Sequence, residues 1–213
     1  MTIKKLGHCC LLIKEAGLTI LTDPGAYSPS QVEVTGVDVI LISHDHQDHL
    51  HVESLEIILK NNPQAIIYTN KGVGKVLSDK GITFNLLEDG QSVVIKEVEI
   101  SGHGTEHELI YPGLLRANNT GYFIGTRLFY PGDAFTNPGK VVEVLALPVA
   151  GPWLTIGNAI DYAKQIKPKI AFPVHDGMFA PGRGSFAHRI PRPILEAVGI
   201  NFIPLIEGQE IEL

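Results

Sequence analysis

The clearest hydrophobic pattern in this chain is short and occurs twice. Residues 9–25, CCLLIKEAGLTILTDPG, place two apolar runs around an Ala-Gly turn and end on Asp23 beside Pro24 and Gly25. Residues 119–135, NTGYFIGTRLFYPGDAF, repeat the plan and end on Asp133 beside Pro131 and Gly132. Each reads as a β-hairpin, because β-branched and aromatic residues flank a glycine-containing turn. A buried-type strand follows each hairpin: VDVILIS at 37–43 and VVEVLALP at 141–148. Helical spacing comes next. Val52, Leu55, Ile58 and Leu59 share one face before Pro63, and Ile156, Ile160, Ala163 and Ile166 share one before Pro168. Both helices lead into another apolar run, AIIYTN at 65–70 and IAFPVHD at 170–176. The distance from Ser43 to Pro63 is 20 positions, the same as from Pro148 to Pro168.

Strand, helix, strand in that order is a right-handed βαβ crossover. Two hairpin-plus-crossover halves predict two mixed sheets packed face to face with helices outside, a four-layer αββα sandwich of the α/β class. Residues 81–104, GITFNLLEDGQSVVIKEVEISGHG, alternate apolar and polar and predict further antiparallel strands. With 213 residues and no linker or low-complexity segment, residues 1–213 are expected to form one domain.

The polar exception to this pattern is LISHDHQDHLH at 41–51, where four of nine histidines and two aspartates crowd the end of an apolar strand. Functional crevices in open α/β sheets lie past the carboxyl ends of strands. A helix cap needs one polar residue, whereas His44, His46, Asp48 and His49 together make a ligand set for divalent metal. Two cations a few ångströms apart would use all four. His51 reads as surface.

HDHQDH at 44–49 resembles the H-x-H-x-D-H signature of the metallo-β-lactamase fold superfamily, and the order of later motifs agrees over nearly the whole chain. The opening GHCCLLI…ILTDPG is most similar to the branch containing ascorbate-6-phosphate lactonase and small metal-dependent hydrolases. The resemblance implies a first metal on His44, His46 and a middle histidine, a second on Asp48, His49 and His175, and Asp133 bridging both. His107 is preferred to His103 as the middle ligand, because Asn119 and Gly121-Tyr122 follow it in the family's order. The implied activity is metal-dependent hydrolysis of a phosphodiester or of a lactone or ester in a small molecule, with Asp48 also accepting a proton. A non-hydrolytic metal- or metabolite-binding regulator on the same fold is the alternative. The His-rich N/O donor set suits zinc first, with manganese, iron or nickel as alternatives.

Composition narrows the partners. Net charge is −6 and no Lys/Arg block occurs, which argues against nucleic acid and anionic membrane surfaces. The expected partner is a small, anionic substrate. The opening MTIKKLGHCC lacks the apolar stretch of a signal peptide, and no run is long enough to span a membrane, so a cytoplasmic protein is expected. Cys9 and Cys10 precede an apolar strand, away from cationic neighbours, and read as buried and inert. Asp23 is either a carboxylate orienting a ligand histidine or part of an Asp-Pro-Gly turn. His8 is either near the site or a core histidine, and Trp153 reads as core rather than pocket wall. Tyr111, Arg116, Arg183 and His188 are loop residues that either contact an anionic substrate or are simply surface, and APGRGSFAHR at 180–189 is a Gly/Pro-rich loop of the kind that closes over a crevice.

Overall fold

The computed structural model describes residues 1–180 and 182–213. The first half supplies β1 (Thr2–Lys5), the hairpin β2 (Leu11–Glu15) and β3 (Leu18–Thr22), β4 (Val39–Ile42), α1 (Val52–Asn61), β5 (Ile66–Thr69), α2 (Lys71–Asp79) and β6 (Asn85–Leu86). The second supplies β7 (Ser92–Ile95), β8 (Val98–His103), the hairpin β9 (Gly121–Ile124) and β10 (Leu128–Tyr130), β11 (Val144–Pro148), α3 (Ile156–Ile166) and β12 (Ile170–Val174). It is followed by α4 (Phe186–Arg189), α5 (Pro191–Glu196), β13 (Asn201–Phe202) and β14 (Glu210–Glu212).

Within the described residues these strands form two seven-stranded sheets, ordered β14-β1-β2-β3-β4-β5-β6 and β13-β12-β11-β10-β9-β8-β7. The two halves match strand for strand. β2 and β3 pair antiparallel and β3, β4 and β5 run parallel; β9 and β10 pair antiparallel and β10, β11 and β12 run parallel. This is the mixed-sheet sandwich that the repeated pattern predicts.

Alternation along the central strands builds the layers. Val39 and Leu41 of β4 enter the core between the sheets with Val144 and Ala146 of β11. Ile40 and Ile42 face the opposite way, against Leu55 and Ile58 of α1 and Val73 and Leu77 of α2. Leu145 and Leu147 of β11 likewise meet Ala159, Ile160 and Ala163 of α3. Full burial of each such aliphatic side chain is worth about 1.5–3 kcal/mol. A strand apolar on both faces therefore needs a sheet on one side and a helix on the other.

Two details depart from the sequence expectation. β6 pairs parallel to β5, not antiparallel, because α2 returns the chain in a second crossover. α2 itself carries Gly72 and Gly74, which weaken helical propensity. Its start is fixed by Asn70, whose side chain accepts from the Gly72 and Val73 N–H groups. Gly74 is needed for packing, since a Cβ there would lie 2.6 Å from the Phe84 ring.

Candidate metal centre

β4 ends at Ile42, and the loop that follows is shaped by the loop after β3. The Ala26 N–H donates to the Gln47 carbonyl and the His51 N–H to the Pro24 carbonyl, at 2.9 and 3.0 Å. Gly25 lies so close that an added Cβ would fall 1.8 Å from the Asp48 carbonyl oxygen. The His49 and Leu50 N–H groups both donate to the His46 carbonyl, which closes a tight turn. His44 and His46 precede that turn, while Asp48 and His49 leave it toward a different neighbour.

His107, from the loop after β8, joins the first pair. Its ring centroid lies 5.1 Å from that of His44 and 4.8 Å from that of His46, and the three offer nitrogens within 4.8 Å of one another. A second group gathers His49, His175 and His8 with Cys9. Asp48 Oδ2 faces it, 3.5 Å from His175 Nε2 and 3.8 Å from His49 Nε2. Asp133 stands between the groups. Its Oδ2 is 3.3 Å from His107 Nε2, 3.9 Å from His44 Nε2 and 2.9 Å from His175 Nε2, and its Oδ1 is 3.2 Å from His49 Nε2. All seven residues named from the sequence thus converge, and His103 does not. It lies on the far face of β8, between Ser101 and the rings of Phe123 and Phe129.

Partners on the outer nitrogens set which ring atoms face inward. His49 Nδ1–H donates to Asp23 Oδ2 at 2.6 Å. The Ser43 hydroxyl donates to the same carboxylate at 2.5 Å and accepts from His44 Nδ1–H at 3.0 Å. His107 Nδ1–H donates to the Glu108 carbonyl at 2.6 Å. In each case Nε2 is the ring atom left facing inward. Asp23, which also receives the Tyr130 hydroxyl at 2.5 Å, holds the loop in place of a simple turn.

The fit to metal rests on atoms that lack partners. Eight buried side-chain N or O atoms have no hydrogen-bond partner among the described residues, and six of them are here: His44, His49 and His107 Nε2, Asp133 Oδ1 and both ring nitrogens of His175. Each such group costs about 1–3 kcal/mol when left unmet, so their concentration at one point fits a cation-binding cavity rather than packing.

Electrostatics divide the histidines: burial disfavours the charged form of His49, but Asp133, Cys9 and Asp23 hold it well above its usual pKa. Burial keeps His44 well below its usual pKa and also lowers His46. Burial opposes the charge on Asp133, yet His49 and His175 outweigh it and hold the carboxyl well below the usual range. Asp48 is lowered in the same way against its burial, by His8, His49 and His175. Asp23 and His175 also adopt left-handed backbone angles, φ 35° and 64°, a strain of about 1–3 kcal/mol each that tends to persist at functional sites.

Comparison with known proteins decides the family. A family model described as a beta-lactamase superfamily domain matches residues 2–175. The chain belongs to the metallo-β-lactamase superfamily and is a metal-dependent hydrolase. It is 34% identical over 196 residues to Protein Rv0786c of Mycobacterium tuberculosis, covering 89% of this chain and 91% of that one. It is 30% identical over 205 residues to a UPF0173 metal-dependent hydrolase of Methanobrevibacter smithii, covering 85% and 84%. The structure of Igni18, a metallo hydrolase from Ignicoccus hospitalis, superposes with a TM-score of 0.77 at 19% identity, over 99% of this chain and 97% of that one.

Two residues of this hydrolase weigh more in the structure than in the sequence. Trp153 is not merely core: its Nε1–H donates to Asp133 Oδ2 at 2.9 Å. His8 accepts the Gly177 N–H on Nδ1 at 3.0 Å, so Nε2–H faces Asp48 Oδ2 at 3.2 Å. Burial, with the charges of His175 and His49, pushes its pKa down to about 4, and it remains a neutral donor. No local signal marks either role, because the partners are 20 and 40 positions away. The other candidates are less central. Tyr111 is exposed and Arg116 pairs with Glu106 at 3.0 Å. His188 bonds Asp176, which pairs with buried Lys5, beside a cavity of about 620 Å³ that contains none of the seven residues. Arg183 lies between Gly182 and Gly184, which line that cavity, and Pro181 of the same loop lies outside the described residues. Burial raises the Cys9 thiol to about 11, and Cys10 is raised as well. Among the described residues, no helix is long and apolar enough to cross a membrane.

Proposed function

We propose that this hydrolase holds two divalent cations, zinc in the first instance, and cleaves a phosphodiester or a lactone or ester bond in a small, anionic molecule. His44, His46 and His107 would hold one cation, Asp48, His49 and His175 the other, and Asp133 both. When bound, such a pair brings the deprotonation of water near neutral pH and offsets negative charge developing on the substrate.

The protein's own groups complete the site. Asp133 presents a carboxylate oxygen to each histidine group, which lowers the repulsion between two like charges held close together. Asp48 is the partly open carboxylate, with a side chain 20% exposed. It accepts the proton lost by the attacking water, while His8 Nε2–H steadies Oδ2. Asp23 fixes the ring of His49, and the Glu108 carbonyl fixes that of His107. The observation that carries this reading is the set of inward-facing nitrogens around Asp133, each lacking a protein partner.

The test combines elemental analysis of protein purified without chelators with assays on bis-p-nitrophenyl phosphate, lactones, esters and thioesters. Two equivalents of metal are expected, with turnover of a phosphodiester, lactone or ester. His46→Ala and Asp133→Ala should each lower the metal content below two equivalents and reduce kcat/KM by more than the 10–100-fold typical of losing an outer partner. A single equivalent, or an unchanged His46→Ala, refutes the two-cation assignment.

A further inference from the structure

Residues 105–119 form a flap rooted in the metal centre. The His107 N–H donates to the Ala117 carbonyl at 3.0 Å and the Asn119 N–H to the Thr105 carbonyl at 3.2 Å. Glu106 and Asn118 form an antiparallel bridge. Between these arms the tip turns through Tyr111–Leu114, with Gly113 at φ 93°. His107 is therefore both a residue of the centre and the first anchor of the flap. The Glu108 N–H donates to the Asp133 carbonyl at 2.8 Å, which ties the next residue to the same place.

The tip is unusually apolar for a surface turn. Leu109, Ile110, Tyr111, Leu114 and Leu115 are all exposed, Tyr111 to 67% and Leu115 to 100%. Leu109, Ile110, Leu114 and Leu115 share a narrow recess of about 20 Å³ with His46 and His107. The lining includes one carboxylate, Glu108, and one cation, Arg116, whose guanidinium is taken by Glu106. Exposed apolar clusters of this kind mark binding sites. Two of the recess walls, His46 and His107, are residues of the metal centre, so the flap's apolar side chains border the place where a substrate would react.

We propose that the 108–116 flap is the substrate-recognition element and that it selects molecules carrying a neutral, extended apolar group, an alkyl or aryl chain, next to the scissile bond. The proposal rests on the metal-centre assignment above and adds the substrate class. The anionic part of the substrate meets the centre, and the apolar arm lies along Leu109, Leu114 and Leu115. Burying each methylene of that arm raises affinity by up to about fourfold.

Straight-chain hydroxamates from acetohydroxamate to octanohydroxamate test this, titrated calorimetrically into zinc-loaded protein. Octanohydroxamate is expected to bind at least tenfold more tightly than acetohydroxamate. In L114S/L115S, where both side chains are exposed and folding is little affected, that ratio should fall toward one. Equal affinities across the native series overturn the proposal, as does an undiminished ratio in L114S/L115S. Light scattering that shows a native dimer dissolved by L114S/L115S also overturns it, because the flap would then serve as an interface between copies. Failure of acetohydroxamate to bind in a zinc-dependent manner sinks the metal centre itself, and this proposal with it.

Discussion

Two loops leave the carboxyl ends of equivalent strands, and they differ in almost everything but position. The loop after β4 supplies His44, His46, Asp48 and His49. The loop after β11, VAGPWLT at 149–155, supplies a single indole N–H, from Trp153 to Asp133. The hairpin ends differ in the same complementary way. Asp23 is buried behind the His49 ring and accepts from Ser43, His49 and Tyr130, whereas Asp133 stands among the ligand-type histidines themselves. After the last of the three parallel strands in each half, Asn70 caps a helix and donates to the Ser43 carbonyl, while His175 enters the centre. The repeated scaffold thus delivers side chains to one edge from both halves. The first half supplies His44, His46, Asp48 and His49, and the second supplies His107, Asp133 and His175 together with the Trp153 indole.

This division of labour can be broken in a graded way. The largest effect should come from Asp23→Asn, which weakens the acceptor for His49 Nδ1–H while leaving all seven inward residues in place. Metal affinity, measured by chelator competition, should fall about 10–100-fold. An unchanged affinity would reduce Asp23 to a turn residue. Trp153→Phe keeps an aromatic side chain and removes the N–H. A lost hydrogen bond of about 0.5–1.5 kcal/mol should weaken metal binding roughly two- to tenfold. As the chain has one tryptophan, metal titration should also change native fluorescence, and a flat signal would separate Trp153 from the centre.

The smallest effect lies at the opposite ends of the same strands. Asp38 before β4 and Glu143 before β11 are equivalent. Asp38 pairs with Lys96 at 2.7 Å and accepts the Thr19 N–H at 2.9 Å, and Glu143 pairs with Arg127 at 3.2 Å. Burial acts against the Asp38 charge, but Lys96 and Thr19 outweigh it and lower its pKa. A lowered carboxylate pKa stabilises the fold above the unfolded value near 3.9 and loses that stabilisation as pH falls through the folded value. Asp38→Asn should therefore cost under about 1 kcal/mol near pH 7 and nothing at the acid end, by urea denaturation at several pH values. A cost that grows toward low pH would reverse the assignment.

Much of this was legible in the chain because the signals were local. The period-two runs around Leu41 and Leu145, the helical spacing of Leu55 and Ile160, and HDHQDH all lie within short windows. The parallel placement of β6 was not legible, since Gly72 and Gly74 hide α2. Trp153 reads as core in the sequence, since its partner Asp133 is 20 positions away.

The sequence by itself determined the layered scaffold and the types of side chain available for chemistry. Hydrophobic periodicity dictates which face of each strand is buried, and imidazole and carboxylate groups announce their donor atoms. Only the tertiary structure decided that His107 rather than His103 faces His44 and His46, that Asp133 stands between the two groups, and which nitrogen of each ring points inward. Those choices depend on distances across loops brought together by sheet packing, and spacing along the chain does not encode them.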